Sequence, residues 1–252
     1  MPIFSNTSNR LNNTAFINDE GEKFSYKDLD SFSNTLYSNI NHRCLVFCLC
    51  QNSIDSLKGY VAFLSNKVVP LMLDAGLEND LLNGLIKLYQ PEYLWIPIER
   101  IKEYDFQQID YQTTEYCLVK LKQEKQYPLH SDLAILLTTS GSTGSPKLVR
   151  LSYDNVLANA QSIAQYLSID STERPITTLP MHYSFGLSII NSHLMKGATV
   201  LLTNRSLMEK EFWAFLKSEK ATSLSGVPYT YEMLKRLRFF RMDLPYLKTL
   251  TQ

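Results

Sequence analysis

The residues of this chain that are best suited to chemistry lie together in the segment Thr139–Lys147. The segment follows a short apolar run, Leu133–Leu137, which predicts a buried β-strand. It consists of serine and threonine hydroxyls and two glycines, and it ends in proline and lysine. Glycine lets backbone N–H groups approach a ligand closely, and successive N–H groups in such a turn form an anion-binding concavity. With hydroxyl donors and the positive charge of Lys147 added, the predicted ligand is a polyphosphate.

Two common nucleotide-binding fingerprints do not fit this segment. The phosphate loop G-x-x-x-x-G-K-[ST] fails because Gly141 is followed five residues later by Pro146, and Lys147 is followed by Leu148. The dinucleotide pattern G-x-G-x-x-G lacks its first glycine. A serine- and glycine-rich surface linker is an alternative from composition alone, but linkers do not lie between two β-like runs with a Pro-Lys ending. An unrelated phosphate-binding α/β enzyme stays open as a further alternative.

Two other segments carry candidate site residues. His182 and Tyr183 lie in the segment Leu179–Leu194, and Gly226–Pro228 follows the predicted strand Thr222–Ser225. Each has a purely structural alternative, because aromatic side chains are usually packing elements and proline is common in the first turn of a helix. His193, among apolar helical positions, is interpreted as a hydrogen-bonded core or surface histidine rather than a catalytic group.

Size, composition and charge limit the classes of function. The chain has 252 residues, 44% of them hydrophobic and 20% charged, which suits one large globular domain or two subdomains. Lys plus Arg and Asp plus Glu both number 25, and a net charge of zero argues against nucleic acid or an anionic membrane as the main partner. The N-terminus has no apolar signal core, and the longest apolar run, Cys44–Cys50, is too short to cross a bilayer. We therefore expect a cytoplasmic protein.

The four cysteines are predicted to be core thiols. Three of them, Cys44, Cys48 and Cys50, lie in the run CLVFCLC, whose apolar residues predict a buried strand rather than a metal cluster. Neither a partner C-x-x-C nor a nearby histidine pair accompanies them, and free cysteine is among the most buried residue types. No disulfide is expected in the cytoplasm.

Strands and helices alternate along the first half of the chain. Apolar runs predict strands at Ala15–Asp19, Cys44–Cys50, Val68–Leu73 and Tyr93–Ile96, and helical spacing predicts helices at Tyr26–Ile40, Ser53–Asn66 and Glu78–Tyr89. Such alternation favours a largely parallel sheet covered on both faces. Residues 105–130 are polar with little periodicity, and we interpret them as a loose β-ribbon or connector.

The second half continues the alternation, so we predict an α/β fold of two packed subdomains, residues 1–130 and 131–252, with mostly parallel sheets. The predicted elements are a helix from Ser152 to Leu167, a strand at Ile176–Leu179, a helix at Leu187–Met195, a strand at Thr199–Thr203, a helix at Met208–Lys217, a strand at Thr222–Ser225 and a helix from Pro228 to Leu237.

The segment Thr139–Lys147 resembles the signature [T/Y]-[S/T]-G-[S/T]-T-G-x-P-K-G of adenylate-forming enzymes: acyl-CoA synthetases, adenylation domains of peptide synthetases and luciferases. Leu148 departs from the final glycine, at a position beyond the phosphate-binding part. Residues 20–30 and 53–73 resemble earlier stretches of the family in the correct order. The resemblance covers the whole chain unevenly and implies the N-terminal part of that fold.

The resemblance implies a reaction in which a small-molecule carboxylic acid and ATP with Mg²⁺ give an acyl-adenylate and pyrophosphate. The acyl group then passes to a thiol of CoA or of a phosphopantetheinyl carrier protein. The resemblance implies that the phosphates are bound by Thr139, Ser140, Gly141, Ser142, Thr143 and Gly144, and that Thr143 is also near Mg²⁺. It implies that Lys147 stabilises charge or closes the loop through a salt bridge. It further implies that Tyr183 or His182 separates the acid from water, and that one wall of the acid pocket is formed by Gly226, Val227 and Pro228.

Several motifs that the family places later do not occur in these 252 residues: an aromatic-Gly-x-Thr-Glu segment, an Asp for the ribose and a C-terminal domain with a catalytic Lys. We therefore expect an N-terminal fragment of a longer ligase, inactive alone. The alternative is a non-catalytic nucleotide-binding module or a half-enzyme that needs a partner chain.

Overall fold

A computed structural model describes residues 10–102, 108–139 and 147–252 of the chain. The fold is mixed α/β with two largely parallel sheets, as predicted. The strands are β1 Thr14–Asn18, β2 Lys23–Ser25, β3 Leu45–Cys50, β4 Val69–Asp74, β5 Tyr93–Pro97, β6 Ile109–Gln112, β7 Tyr116–Lys120, β8 Leu133–Thr138, β9 Leu148–Ser152, β10 Pro175–Ile176, β11 Val200–Leu202, β12 Ser223–Ser225 and β13 Thr249–Thr251. The helices are α1 Tyr26–Ser38, α2 Ile54–Ser65, α3 Asn79–Tyr89, α4 Ile98–Ile101, α5 Tyr153–Tyr166, α6 Ser184–Met195, α7 Lys210–Ser218 and α8 Pro228–Arg236.

The chain divides into two compact units. Among the described residues, the first unit comprises Asp28–Gln51 and Asp55–Ala158, and the second comprises residues 10–27, Asn52–Ile54 and Asn159–Gln252. This division differs from the predicted boundary near residue 130. The reason is long-range pairing: β8 pairs with β4 in the first unit, and β1 pairs with β11 in the second.

The first unit is built on a seven-stranded sheet in the order β6-β7-β5-β3-β4-β8-β9. Its centre, β5-β3-β4-β8, is parallel, while β6, β7 and β9 are antiparallel. The central strands β3 and β4 are almost continuously apolar and buried, as expected for parallel strands whose two faces are both covered. All four cysteines are free and buried, which confirms the prediction of core thiols.

The segment predicted to be a loose connector contains part of this core. Residues Tyr116–Val119 of β7 are fully buried, and β7 pairs with β5 along its whole length. The sequence signal was weak because β6 and its flanks are polar and exposed, and only the short stretch of β7 is apolar. The interpretation as a β-ribbon is confirmed, whereas the interpretation as a mere connector is not.

The second unit is built on a six-stranded sheet in the order β13-β12-β10-β11-β1-β2, parallel except for β2. Apolar side chains of its strands pack against α7 and α8; the cluster comprises Ile17, Ile176, Leu201, Phe212, Phe215, Leu216, Ala221, Leu224, Leu234 and Phe239. Strand β10 is shorter than predicted, because the chain leaves the sheet after Ile176. The parallel strands all end at one edge of the sheet, which is where open α/β sheets generally bind ligands.

Among the described residues, no helix is both long and apolar enough to cross a membrane.

Candidate functional site

The predicted phosphate-binding segment joins two antiparallel strands of the first unit. Strand β8 pairs with β9 from Leu133 opposite Ser152 to Thr138 opposite Leu148, with one shift of register between Leu133 and Ile135. Residues Ser140–Pro146, and with them the predicted ligands Gly141, Ser142, Thr143 and Gly144, lie outside the described residues. The described ends of the segment are Thr139 and Lys147.

Thr139 and Lys147 hold the two ends of the segment together. The backbone N–H of Thr139 donates to the Lys147 carbonyl oxygen at 3.1 Å, and the Thr139 hydroxyl donates to the same oxygen at 3.2 Å. The anchor uses the backbone of Lys147, so its exposed ammonium group is not needed for this contact. Because β8 is parallel to β4, the segment leaves the sheet at the carboxyl end of a parallel strand.

The turn Leu179–Tyr183 carries the two predicted acid-pocket residues and lies in the second unit. The backbone N–H of Tyr183 donates to the Pro180 carbonyl at 3.1 Å, and Tyr183 is the N-cap residue of α6. The Tyr183 side chain is 49% exposed, and His182 is half-buried. The structure therefore presents the Tyr183 ring to solvent at the start of a helix, beyond the carboxyl end of β10.

Asn52 fixes this turn from a distant part of the chain. Its side-chain amide donates to the Leu179 carbonyl at 3.2 Å, and its side-chain oxygen accepts from the Met181 N–H at 3.2 Å. The Asn52 backbone N–H in turn donates to the Asn204 side-chain oxygen at 3.0 Å. The N–H and the oxygen of the Asn52 side-chain amide thus each form a hydrogen bond with a backbone group of the turn.

Gly186 allows α6 to start close to the turn. A Cβ atom built on Gly186 would lie 2.3 Å from the Pro180 carbonyl oxygen and 3.0 Å from the Leu179 carbonyl oxygen. Any larger residue would displace one of the two backbones. The spacing between Pro180 and Gly186 therefore has a packing reason in addition to any role in binding.

The third predicted segment lies at the carboxyl end of β12. The Gly226 N–H donates to the Thr251 carbonyl at 2.9 Å, which joins the segment to the end of β13. The Val227 N–H donates to the Thr230 hydroxyl at 3.2 Å, and Pro228 opens α8 at its first turn. A helix start with proline in its first turn is sufficient to explain the sequence of this segment. Val227 is half-buried there, and Pro228 is exposed.

A cavity of about 670 Å³ opens in the second unit between α5, α6 and the strands β12 and β13. Apolar side chains that line it include Ile163, Leu167, Phe185 and Ile189. The carboxyl ends of β12 and β13 form one part of its wall. A volume of this size matches the usual range for small-molecule sites.

One end of this cavity is polar. Ser223 is 7% exposed, and its hydroxyl has no hydrogen-bond partner among the described residues. His193 is buried beside it in the wall, and its Nδ1 lies 2.7 Å from the Ile189 carbonyl oxygen. Burial lowers the pKa of His193, so its ring is neutral at neutral pH and Nδ1–H is the donor. Glu173 lines the same end and opposes part of this shift.

Sequence reasoning missed Asn52, Ser223 and the cavity. No local sequence motif indicates any of the three, because each depends on residues that are distant in the chain. His193 was correctly interpreted as a buried, hydrogen-bonded histidine. Thr178 also contributes to the structure around the predicted segments. Its hydroxyl donates to the Ser225 carbonyl and so joins the ends of β10 and β12.

Comparison with known proteins decides the family. The sequence profile of the AMP-binding enzyme family matches residues 4–251, nearly the whole chain. This chain belongs to the AMP-binding enzyme family. An acyl-CoA ligase, sidI, from Aspergillus fumigatus is 28% identical over 117 residues, which are 46% of this chain and 20% of that protein. A 2-succinylbenzoate–CoA ligase from Staphylococcus aureus is 30% identical over 103 residues, which are 41% of this chain and 21% of that protein.

Solved structures of a coenzyme A synthetase and of a CoA ligase share the fold. O-succinylbenzoate coenzyme A synthetase (MenE) from Bacillus subtilis, solved in complex with AMP, superposes with a TM-score of 0.75 at 20% identity over 95% of this chain and 64% of that one. The long-chain-fatty-acid-CoA ligase FadD1 from Archaeoglobus fulgidus gives a TM-score of 0.77 at 17% identity over 99% of this chain and 57% of that one. The alignments with curated relatives span about a fifth of those proteins' length.

Proposed function

We propose that this AMP-binding chain supplies the nucleotide-binding part of a carboxylate–AMP ligase. The observation that carries the proposal is the hairpin β8–β9, whose ends Thr139 and Lys147 are tied together and whose connecting residues match the family signature. In the proposed reaction a carboxylate oxygen attacks the α-phosphorus of ATP. The bond to the bridging oxygen breaks, and pyrophosphate leaves with its electron pair. The acyl group then passes from AMP to the sulfur of CoA or of a phosphopantetheinyl carrier protein.

We propose that the loop binds the phosphates and neutralises their charge. Ser140–Gly144 would donate hydroxyl and backbone hydrogen bonds to the β- and γ-phosphates. Thr139, whose N–H and hydroxyl both donate to the Lys147 carbonyl, would hold the base of the loop, and Lys147 would balance the charge of the departing pyrophosphate. Such a reaction depends on positioning and electrostatic stabilisation more than on a nucleophilic side chain, because the acid itself is the nucleophile. The exposed position of the Lys147 ammonium group, separate from its backbone anchor, is compatible with this role.

Magnesium is the ion that the proposed reaction requires, and its contribution is to neutralise the phosphate charge as the α-phosphorus is attacked. Hard oxygen ligands suit it, so Thr143 is the proposed contact. Because Thr143 lies outside the described residues, this assignment rests on the signature in the sequence alone.

The acid is proposed to bind in the second unit, with Tyr183 or His182 beside its carboxylate and Gly226, Val227 and Pro228 along one side. The cavity lined by Phe185 and Ile189 would hold the rest of the molecule. Its apolar walls favour an acid with an apolar body. The hydroxyl of Ser223 at the polar end has no partner among the described residues, and it favours a hydrogen-bonding group far from the carboxylate, since a buried donor without a partner costs free energy.

The cavity assignment is tested with paired acids of equal length, one with a distal carbonyl or hydroxyl and one fully apolar. Ser223→Ala should lower the affinity for the polar acid by about twofold to tenfold, the range of one hydrogen bond, and should leave the apolar acid unchanged. An equal effect on both acids would contradict the proposed orientation.

The 252 residues alone are proposed to bind nucleotide without completing adenylation, because the later motifs of the family do not occur in them. The alternative is a half-enzyme completed by a partner chain. The location of the protein in the cytoplasm stays a prediction from the sequence.

The proposed function is tested by two measurements on the purified chain: equilibrium binding of MgATP, and carboxylate-dependent exchange of pyrophosphate into ATP. We expect binding without exchange. Exchange by the chain alone would contradict the proposed inactivity while supporting the ligase reaction. Phosphorylation or ATP hydrolysis that needs no carboxylate would contradict the ligase reaction itself, and restoration of exchange by a co-purified second polypeptide would favour the half-enzyme.

A further inference from the structure

Three side chains with different metal-ligating atoms meet at the amino ends of two neighbouring strands in the first unit. His42 and Cys44 precede β3, and Glu92 precedes β5. The two strands are parallel neighbours, with Val46 opposite Tyr93, and the Glu92 N–H donates to the Leu45 carbonyl at 2.9 Å. Strand pairing therefore brings together an imidazole, a thiol and a carboxylate that are far apart in the sequence.

The distances between these groups fit a bound cation. The ligating atoms of His42, Cys44 and Glu92 all lie within 4.8 Å of one another, so a point exists within about 2.8 Å of all three. Zn²⁺ takes nitrogen and oxygen ligands at about 2.0 Å and sulfur at about 2.3 Å, which places tetrahedral ligands about 3.3–3.6 Å apart. Side-chain movements of about 1 Å would bring the three atoms to this geometry.

The hydrogen bonding of His42 leaves one ring nitrogen directed at the cluster. Its Nδ1 lies 2.6 Å from the Ile40 carbonyl oxygen, which can only accept, so Nδ1–H is the donor. The other nitrogen, Nε2, is hydrogen-bonded to Glu92 Oε2 at 2.8 Å, and a cation would take the place of the proton between them. A histidine that donates one N–H to a backbone carbonyl and points the other nitrogen at a metal is the usual arrangement of a metal ligand.

The same three residues do not form a Cys-His-Glu nucleophile. That arrangement needs one ring nitrogen on the sulfur and the other on the carboxylate, but here the second nitrogen is taken by the Ile40 carbonyl. Cys44 is buried, and a thiophilic cation that binds its sulfur displaces the proton of the thiol.

An opening leads from solvent to the cluster. A groove of about 340 Å³ is lined by Cys44, Glu92, Gln90 and Tyr127. The side chain of His42 is 46% exposed and that of Glu92 is 13% exposed. The neighbouring cation Arg43 is directed elsewhere, because its guanidinium donates to the carbonyl oxygens of Lys67, His130 and Leu133.

We propose that His42, Cys44 and Glu92 bind one Zn²⁺, with the fourth coordination position open to the groove. The site lies at the amino ends of β3 and β5, opposite the edge where β8 leads into the phosphate-binding segment. It is therefore separate from the proposed nucleotide site. A cation there joins the starts of two central strands, so the expected consequence is a metal-dependent stability of the first unit.

The test is titration of the purified chain with Co²⁺, a spectroscopic substitute for Zn²⁺, in excess Mg²⁺ to occupy oxygen-only sites. We expect one equivalent to bind with the visible absorbance of a tetrahedral site and a sulfur-to-cobalt charge-transfer band, and Zn²⁺ to displace it. Cys44→Ser should abolish the charge-transfer band. His42→Ala and Glu92→Gln should each weaken binding at least tenfold, and His42→Ala is at an exposed position that does not endanger folding.

Cys117→Ser is the matched control, because Cys117 is a buried thiol of the same sheet that pairs with Ile96, near the other end of β5. It should retain the band and the affinity. The proposal is overturned if the folded wild-type chain binds Co²⁺ and Zn²⁺ no better than His42→Ala does. It is also overturned if the charge-transfer band survives Cys44→Ser.

Discussion

Replacing Gly186 by alanine tests how tightly α6 packs on the turn that carries Tyr183. The added Cβ would lie 2.3 Å from the Pro180 carbonyl oxygen, whereas ordinary contacts begin at 3.4 Å. The turn and the helix must therefore separate by about 1.1 Å, the difference between these two distances. Overpacking of this kind costs about 1–3 kcal/mol, and the better helix propensity of alanine returns at most about 1 kcal/mol.

Because the contact is with a backbone oxygen that cannot turn aside, the cost is about 2–3 kcal/mol, and the expected net effect of Gly186→Ala is a loss of about 1–2 kcal/mol in the free energy of unfolding. The matched control is Gly84→Ala in α3, where a Cβ would meet no atom within 4 Å. The same substitution there should stabilise the chain by about 0.5–1 kcal/mol, because only the backbone entropy and propensity terms change. The two variants are predicted to shift stability in opposite directions.

The assay is urea denaturation followed by far-ultraviolet circular dichroism, with the affinity for an acyl-adenylate analogue measured in parallel. Gly186→Ala should also weaken binding of the analogue, since the displaced turn carries Tyr183, and Gly84→Ala should not. If Gly186→Ala is as stable as the wild type or more so, the close approach of Gly186 to Pro180 does not constrain the turn, and the reasoning is refuted.

Three further substitutions have defined outcomes. Asn52→Ala should lower the free energy of unfolding by about 1–3 kcal/mol, because its two side-chain hydrogen bonds to the turn are lost; an unchanged urea midpoint would contradict this. His193→Gln should flatten the pH dependence of stability. Burial lowers the folded-state pKa of His193 below the unfolded value of 6.5, so the unfolded chain binds the extra proton and stability falls as the pH drops below about 6.5, by at most about 1.4 kcal/mol per pH unit. Thermal unfolding between about pH 7.5 and pH 5 checks this sign, and a wild-type curve parallel to that of the variant would contradict it. Lys147→Met should weaken MgATP binding by about tenfold to a hundredfold without unfolding the hairpin, whose anchor uses only the Lys147 backbone; calorimetry measures it, and unchanged affinity would remove Lys147 from the site.

The sequence predicted what depends on neighbours in the chain. Apolar runs such as Cys44–Cys50 and Leu133–Leu137 correspond to β3 and β8 within a residue at either end, because a buried parallel strand needs apolar residues on both faces. The phosphate-binding signature is local as well, so the nine residues Thr139–Lys147 are sufficient to indicate the family.

What depends on distant residues could not be predicted. Strand β1 pairs with β11, about 180 residues later, and no local pattern in the sequence indicates that partner. The role of Asn52 depends on backbone groups 127 and 129 residues away. The burial of β7 followed from its pairing with β5 and not from the polar stretch around it. The division into two units differed from the prediction for the same reason.

The nucleotide-binding role of the segment Thr139–Lys147 is tested by MgATP binding to the 252-residue chain and to its Gly144→Val variant, measured by isothermal titration calorimetry. We expect saturable binding by the wild type and a loss of at least about tenfold in the variant, because a branched side chain crowds backbone N–H groups that must approach the phosphates. Circular dichroism establishes that the variant is folded. Equal affinity in a folded Gly144→Val chain would contradict the central claim that this segment binds the nucleotide.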